Sequence, residues 1–314
     1  MVPPATFTSY YGRPVVKASP WENDIPAYFF LGGLAAGSSL LAAGADLVGL
    51  SKLRRAARIG ALVGGAAGSA ALIHDLGRPA RFLNMLRTAK PTSPMSIGTW
   101  ILAAYGPLAS LAGASEIAAM LPARVPIASR MLEMGARPSG LLAAVLAPGL
   151  AAYTGVLLSD TATPAWHSAG GELPYVFAAS AAASAGGLAM IGVTVDQAAP
   201  ARRMAAGGAL VALAMEQRME RSMGLSAETL HTGRSGRLMD ASRALTLAGA
   251  LGTVAFGRRS RYGAALSGAA LVAGSVCTRF AIFEAGQASA RDPRYTVVPQ
   301  RERMDRREAR GASR

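Results

Sequence analysis

The chain has one cysteine and three histidines in 314 residues, and only 16% of its residues are charged. Cys277 lies inside an apolar run, so the chain alone forms no disulfide, no thiolate zinc site and no iron–sulfur cluster. His74 ends an apolar stretch while His167 and His231 fall between stretches, so no two histidines sit at matching depth in facing helices, as a b-type haem requires. Nucleophile-elbow, phosphate-loop and dinucleotide motifs following a strand are also missing, which removes the usual signals of hydrolases and nucleotide-binding enzymes. A soluble domain carries about a quarter charged residues. The deficit here, together with 51% hydrophobic residues and a mean hydropathy of +0.29, points to lipid and excludes both intrinsic disorder and a disulfide-built secreted domain.

What is present is a series of long uncharged stretches, at 25–45, 59–74, 91–115, 138–159, 173–195 and 262–278. Several reach the roughly 20 residues that a helix needs to cross a bilayer. Charge breaks and Gly/Pro punctuation divide the chain into eight spans, 25–50, 57–75, 97–121, 139–158, 173–195, 200–218, 242–257 and 262–285. The sixth is the weakest, because Glu216, Gln217 and Arg218 follow its uncharged core at once; it reads as a short or broken span, or as an interfacial helix. The spans are rich in Ala and Gly and lack the dyad alternation of a membrane barrel. The expected fold class is therefore an all-α integral membrane protein, a bundle of about eight transmembrane helices at 25–286, between an extramembrane segment at 1–24 and a basic polar tail at 287–314. The leading segment has no continuous apolar core of a cleaved signal peptide, so the first span is expected to serve as the insertion signal. Gly60, Gly64 and Gly68 recur on one face of the second span, and Gly33 and Gly37 in the first, the spacing that lets helices approach closely in lipid.

The net charge is +14 and the isoelectric point about 10.9. The arginines sit between and after the apolar runs, not on one helical face, so they read as basic loops of a membrane protein; no nucleic-acid partner is expected. With eight spans both termini lie on one face, A. The connections on the opposite face, B, are short and basic, with Lys52, Arg54, Arg55 and Arg58, then Arg124, Arg130 and Arg137, then Arg202 and Arg203, then Arg258, Arg259 and Arg261. The positive-inside rule puts face B in the cytoplasm.

Alternate threading brings Tyr28, His74, Asp75, Trp100, Tyr105 and Tyr153 toward face A. Such a set suits a ring with two carbonyl or hydroxyl groups, since His and Tyr donate to a quinone oxygen while His and Asp take up released protons. The same residues also fit an interfacial aromatic belt with a helix-ending His–Asp pair. Asp46, Glu116 and Asp196 fall toward face B, each within about two turns of a span end; they form either a proton path or pairs with the basic loops.

The run LIHDLGRPARFLNMLRTAKPTSPMSIGTW at 72–100 is more specific. Its HDLGRP at 74–79 and SPMSxGxW at 93–100, supported by IPAYFFLGGLAAG at 25–37, YTGVLLSDTATPAW at 153–166 and GSVCTRFAIFEAGQASARDP at 274–293, resemble the NrfD/PsrC-like family, the quinol-interacting membrane subunits of polysulfide, nitrite, formate and related reductases. The resemblance implies a multi-pass subunit of the cell (inner) membrane that is not catalytic alone. It would have no haem or iron–sulfur cluster of its own. It would exchange electrons between menaquinone or ubiquinone and an iron–sulfur, ferredoxin-like subunit, beside a catalytic molybdopterin or multihaem subunit. Carried onto this chain, Tyr28, His74, Asp75 and Tyr153 are the quinone-binding and proton-exchanging candidates, with His74 and Asp75 expected to act as a unit. Arg78, Arg81, Ser96 and Trp100 are expected to shape the loop or dock a partner. Two other readings are a structural anchor with a degenerate quinone site and a small-molecule transporter; the latter predicts inverted repeats around a midplane site.

Overall fold

The computed structural model describes residues 14–121 and 126–312, with backbone alone at 126–130 and 310–312. The expectations for residues 1–13, Arg124 and the Arg130 side chain lie outside the described residues. Among the described residues eleven α-helices follow in order, α1 Asp24–Leu47, α2 Ser51–Asp75, α3 Arg81–Leu86, α4 Pro94–Ala118, α5 Pro126–Ser159, α6 Pro164–Ser168, α7 Leu173–Gly192, α8 Ala199–Ser222, α9 Gly233–Ala255, α10 Arg261–Arg291 and α11 Arg294–Ala312, with a 3-10 turn at Gly224–Leu230. No strand occurs among the described residues.

Among the described residues six helices are long and apolar enough to cross a membrane: α1, α2, α4, the Met131–Ser159 part of α5, α7 and α10. The chain is thus a multi-pass, all-α membrane-type bundle. α8 and α9 have comparable length but more charge, which α8 concentrates at its two ends and α9 in its first half. α8 is continuous to Ser222, not broken after Met215, and α9 begins at Gly233, well before the expected 242. The charged turns are helical because they pair with one another: Arg243 with Glu220, Arg234 with Glu284 at 3.1 Å, and Arg218 with Glu172 at 3.2 Å. α10 likewise continues past 286 to Arg291, with Gln287 and Ser289 buried.

Local chemistry sets several ends. Gly77, at φ 67°, closes α2 in the left-handed region that favours glycine. Ser93 caps α4 by accepting from the Ser96 amide, with Pro94 at the first helical position, where no backbone donor is needed. Ser260 caps α10 through the Gly263 amide at 3.1 Å.

Small residues set the packing. A Cβ on Gly64 would lie 3.1 Å from the Leu31 carbonyl oxygen, so α2 rides directly on α1. α7 is the hub, touching α1, α2, α5, α8 and α10. On it, Ala181 and Ala185 face Gly37 of α1, Gly186 faces Ala201 and Ala205 of α8, and Gly187 faces Gly268 of α10. At face B an ionic cluster built on the buried carboxylates of Asp46 and Glu116 ties four helices: Asp46 and Glu116 engage Arg54 at 3.3 and 2.8 Å, Glu116 engages Arg58 at 3.1 Å, and the exposed Arg137 reaches Asp46 at 3.2 Å.

Adding a side chain at the α7–α10 crossing overpacks backbone against backbone. Gly187→Val is expected to cost about 1–3 kcal/mol, seen as a lower thermal midpoint of the detergent-solubilised protein. Gly44→Ala in α1, whose Cβ meets nothing outside its own helix within 4 Å, should leave that midpoint unchanged or raise it slightly.

Candidate functional site

At the face-A end of the bundle, α1, α2, α4 and α5 surround a cavity of about 190 Å³. Its walls are mostly apolar, from Ile25 and Phe29 on α1, Leu72 on α2, Phe82 and Met85 on α3, Met95 and Leu102 on α4, and Leu157 on α5. Four polar side chains enter it: Tyr28, Asp75, Thr99 and Tyr153. Tyr28 lies just inside α1, and Tyr153 six residues before the end of α5; their hydroxyls hydrogen-bond to one another across the cavity. The ring of Tyr153 has room only because residue 98 of α4 is glycine, where any Cβ would collide with the ring carbons. Thr99 turns its hydroxyl back to the Met95 carbonyl at 2.8 Å, leaving the tyrosine pair and Asp75 as the groups able to bond a guest.

His74 and Asp75 do not share this site. Consecutive residues on a helix point roughly 100° apart. Asp75 therefore lines the cavity, while the His74 side chain is 81% exposed and its Nδ1 pairs with Asp24 Oδ2 at 2.7 Å. The expected His–Asp unit is replaced by an inner carboxylate and an outer His74–Asp24 pair.

The loop residues stay outside the cavity. Ser96 Oγ donates to the Thr88 carbonyl at 2.9 Å and accepts from the Lys90 amide, and Trp100 Nε1 donates to the same carbonyl at 3.2 Å. Together they fasten the segment before α4. Arg81 Nη1 donates to the Leu76 carbonyl at 2.9 Å, and Arg78 is exposed.

Asp46 and Glu116 belong to the arginine cluster at face B, about 27 Å along α1 from Tyr28 at 1.5 Å per residue. Asp196 is on the exposed turn between α7 and α8, where a hydrogen bond from the Thr194 side chain holds its carboxyl below the usual carboxylate range. None of the three lines the cavity.

Residue-level reading of the sequence missed several contributors. Trp21, Phe82, Met85, Met95 and Thr99 line the cavity although nothing in their spacing marks them. Arg279, fully buried in α10, donates from Nη2 to the Phe177 carbonyl at 2.7 Å and stacks over the Phe177 ring at 3.8 Å, while buried Glu216 accepts from Thr278 at 3.3 Å. The signal for that pair was a charge inside each helix. Trp166, from α6, donates to the Ile282 carbonyl at 2.8 Å and stacks on Trp21, bracing the face-A end behind the cavity. Among the described residues no group of three His, Cys, Asp or Glu side chains gathers to hold a metal ion.

The family model for polysulphide reductase, NrfD, matches residues 15–230, an interval that contains every helix lining the cavity. Among curated proteins none matches the chain closely enough to count as a relative. With well over half of its length inside that family model, the chain belongs to the polysulphide reductase NrfD family.

Proposed function

We propose that the protein is the quinone-reactive membrane subunit of a respiratory oxidoreductase complex in the cell (inner) membrane. It exchanges electrons between a quinone pool, menaquinone or ubiquinone, and an iron–sulfur, ferredoxin-like partner, which serves a catalytic molybdopterin or multihaem subunit. α8 and α9 complete eight spans, and the N-terminal segment and C-terminal tail lie on the face that receives the partner. The observation that carries this reading is the convergence of the Tyr28–Tyr153 hydroxyl pair and the Asp75 carboxylate in an otherwise apolar cavity at one end of the bundle.

The donor set fits such a guest. A quinone ring is apolar on its faces and carries oxygens at opposite edges, and the cavity offers methionine and phenylalanine walls with hydroxyl groups at one place. The volume of about 190 Å³ leaves room for one substituted ring. Quinol oxidation sheds two electrons and two protons. The electrons pass to the redox centre of the partner. The tyrosine hydroxyls orient a ring oxygen, and Asp75 takes the two protons in turn at a carboxylate oxygen, releasing the first to water before it accepts the second. The His74–Asp24 pair, on the outer side of the same helix end, exchanges protons with water. Quinone reduction runs these transfers in reverse. The site's position at one face, not the midplane, disfavours a transporter.

In the assembled complex, Asp75→Asn and the double change Tyr28→Phe, Tyr153→Phe are each expected to lower electron transfer to a soluble quinone analogue by roughly 10²-fold or more. Activity with an artificial dye that bypasses the membrane subunit should persist. His74→Ala should cost less than Asp75→Asn, because its side chain stays outside the cavity. Unchanged quinone-linked turnover in the Asp75 and tyrosine variants would make the chain a structural anchor.

Orientation follows from the basic connections of face B, expected in the cytoplasm. A Cys replacing exposed Ser51 should resist an impermeant thiol reagent in intact cells, while one replacing exposed Asp160 should label. Equal labelling of the two would reject the assignment.

A further inference from the structure

α8 packs chiefly on α7, and α9 chiefly on α10, so these neighbours in sequence touch each other only lightly. The result is a groove along the outside of the bundle. At its face-B end the groove widens to a cavity of about 400 Å³ lined by Arg202, Arg203, Ala206, Thr253, Val254 and Arg258. Three arginines thus line one hollow, close enough that Arg203 and Arg258 act on Arg202, and among the described residues no carboxylate pairs with any of them. The contrast with the same face of α2 is sharp, where Arg54 and Arg58 are met by Asp46 and Glu116. The charges that act on Arg202 are the like charges of Arg258 and Arg203. Arg202 is also held in place: its Nη1 donates to the Val195 carbonyl at 2.7 Å, and its stem lies against Gly257, where a Cβ would come within 3.0 Å of Cδ. Between the arginine rim and the polar far end at Gln217, Glu220 and Arg243, the outer surface is apolar, with Leu210, Leu251 and Val254 exposed.

We propose that this groove holds an anionic phospholipid, its headgroup phosphate between Arg202, Arg203 and Arg258 and its acyl chains along the apolar surface of α8 and α9. Concentrated positive charge with no protein counter-ion needs an anion, and bidentate arginine–phosphate bonding supplies one. Basic hollows between membrane helices at the face of the positive-inside loops are suited to anionic headgroups, each nearby arginine adding to the attraction. An apolar continuation of the hollow selects a phosphate that carries acyl chains over free phosphate. The lipid would also fill the gap that the light α8–α9 contact leaves. The proposal is independent of the quinone reading, since the groove lies at the opposite end of the bundle from the Tyr28–Tyr153 cavity.

The test uses the full-length protein, purified in mild detergent, stripped of lipid and examined by native mass spectrometry after incubation with dioleoyl-phosphatidylglycerol, dioleoyl-phosphatidylcholine or inorganic phosphate. Phosphatidylglycerol should be retained roughly tenfold or more over phosphatidylcholine. Arg203→Gln with Arg258→Gln should remove that preference, and Arg301→Gln with Arg303→Gln, on the other face, should leave it intact. Excess inorganic phosphate should fail to displace the bound lipid. Equal retention of the two lipids, an unchanged preference in the Arg203 and Arg258 variant, or displacement by phosphate alone would each overturn the proposal. Should that variant not fold, the lipid and phosphate comparison on the unaltered protein decides.

Discussion

The architecture depends on how closely α7 lets its neighbours approach. Between residues 179 and 189 every buried residue of α7 is alanine, serine or glycine. In lipid, helices gain little from hiding apolar side chains, because the acyl chains are as apolar as leucine; dispersion contact and hydrogen bonding have to hold them together. Small residues make both available. Gly37 of α1 sits against the Ala181 backbone, Gly186 against α8 and Gly187 against α10, and Ser180 donates to Ser275 at 2.7 Å across the α7–α10 crossing. With α1 held against α7, and α2 held against α1 by Gly64, the face-A ends of α1, α2 and α5 are set before any polar group of the cavity is considered.

The cavity inherits its chemistry from that framework. Tyr28 and Tyr153 come from helices far apart in sequence, and they meet because α1 and α5 pack side by side with Gly98 of α4 leaving space for the second ring. One step of helical rotation separates the inner acid from the outer histidine. In the function proposed above, this division would give a proton two stations, one facing the guest and one facing water, without a long buried relay. The arginine-caged carboxylates at face B serve a different end, tying α1, α2, α4 and α5 together where basic turns would otherwise repel one another.

Much of the fold was legible in the sequence, because bilayer thickness translates directly into run length and charge breaks. The multi-span helical bundle and the glycine faces of α1 and α2 followed from those signals. The ends of α8, α9 and α10 did not: charged turns read as loops until partners such as Glu220 for Arg243 and Glu284 for Arg234 are known, and those partners are set by tertiary packing. In the candidate site, Tyr28, Asp75 and Tyr153 stood out by residue type and position. The diversion of His74 to Asp24 and the walls made by Phe82, Met85 and Met95 depend on where the start of α1 meets the end of α2 and on how α3 packs against α4, which no local pattern encodes.

The central claim is that a quinone ring occupies the cavity between α1, α2, α4 and α5. Photolabelling the membrane-embedded protein with an azidoquinone, followed by peptide mass mapping, tests it most directly. The account predicts adducts on the peptides containing Trp21–Phe29, Leu72–Leu76 and Met95–Leu102, suppressed by excess unlabelled quinone and lost in a Gly98→Leu variant whose added side chain displaces the Tyr153 ring. Adducts confined to α8 and α9, or labelling that excess quinone does not suppress, would contradict it.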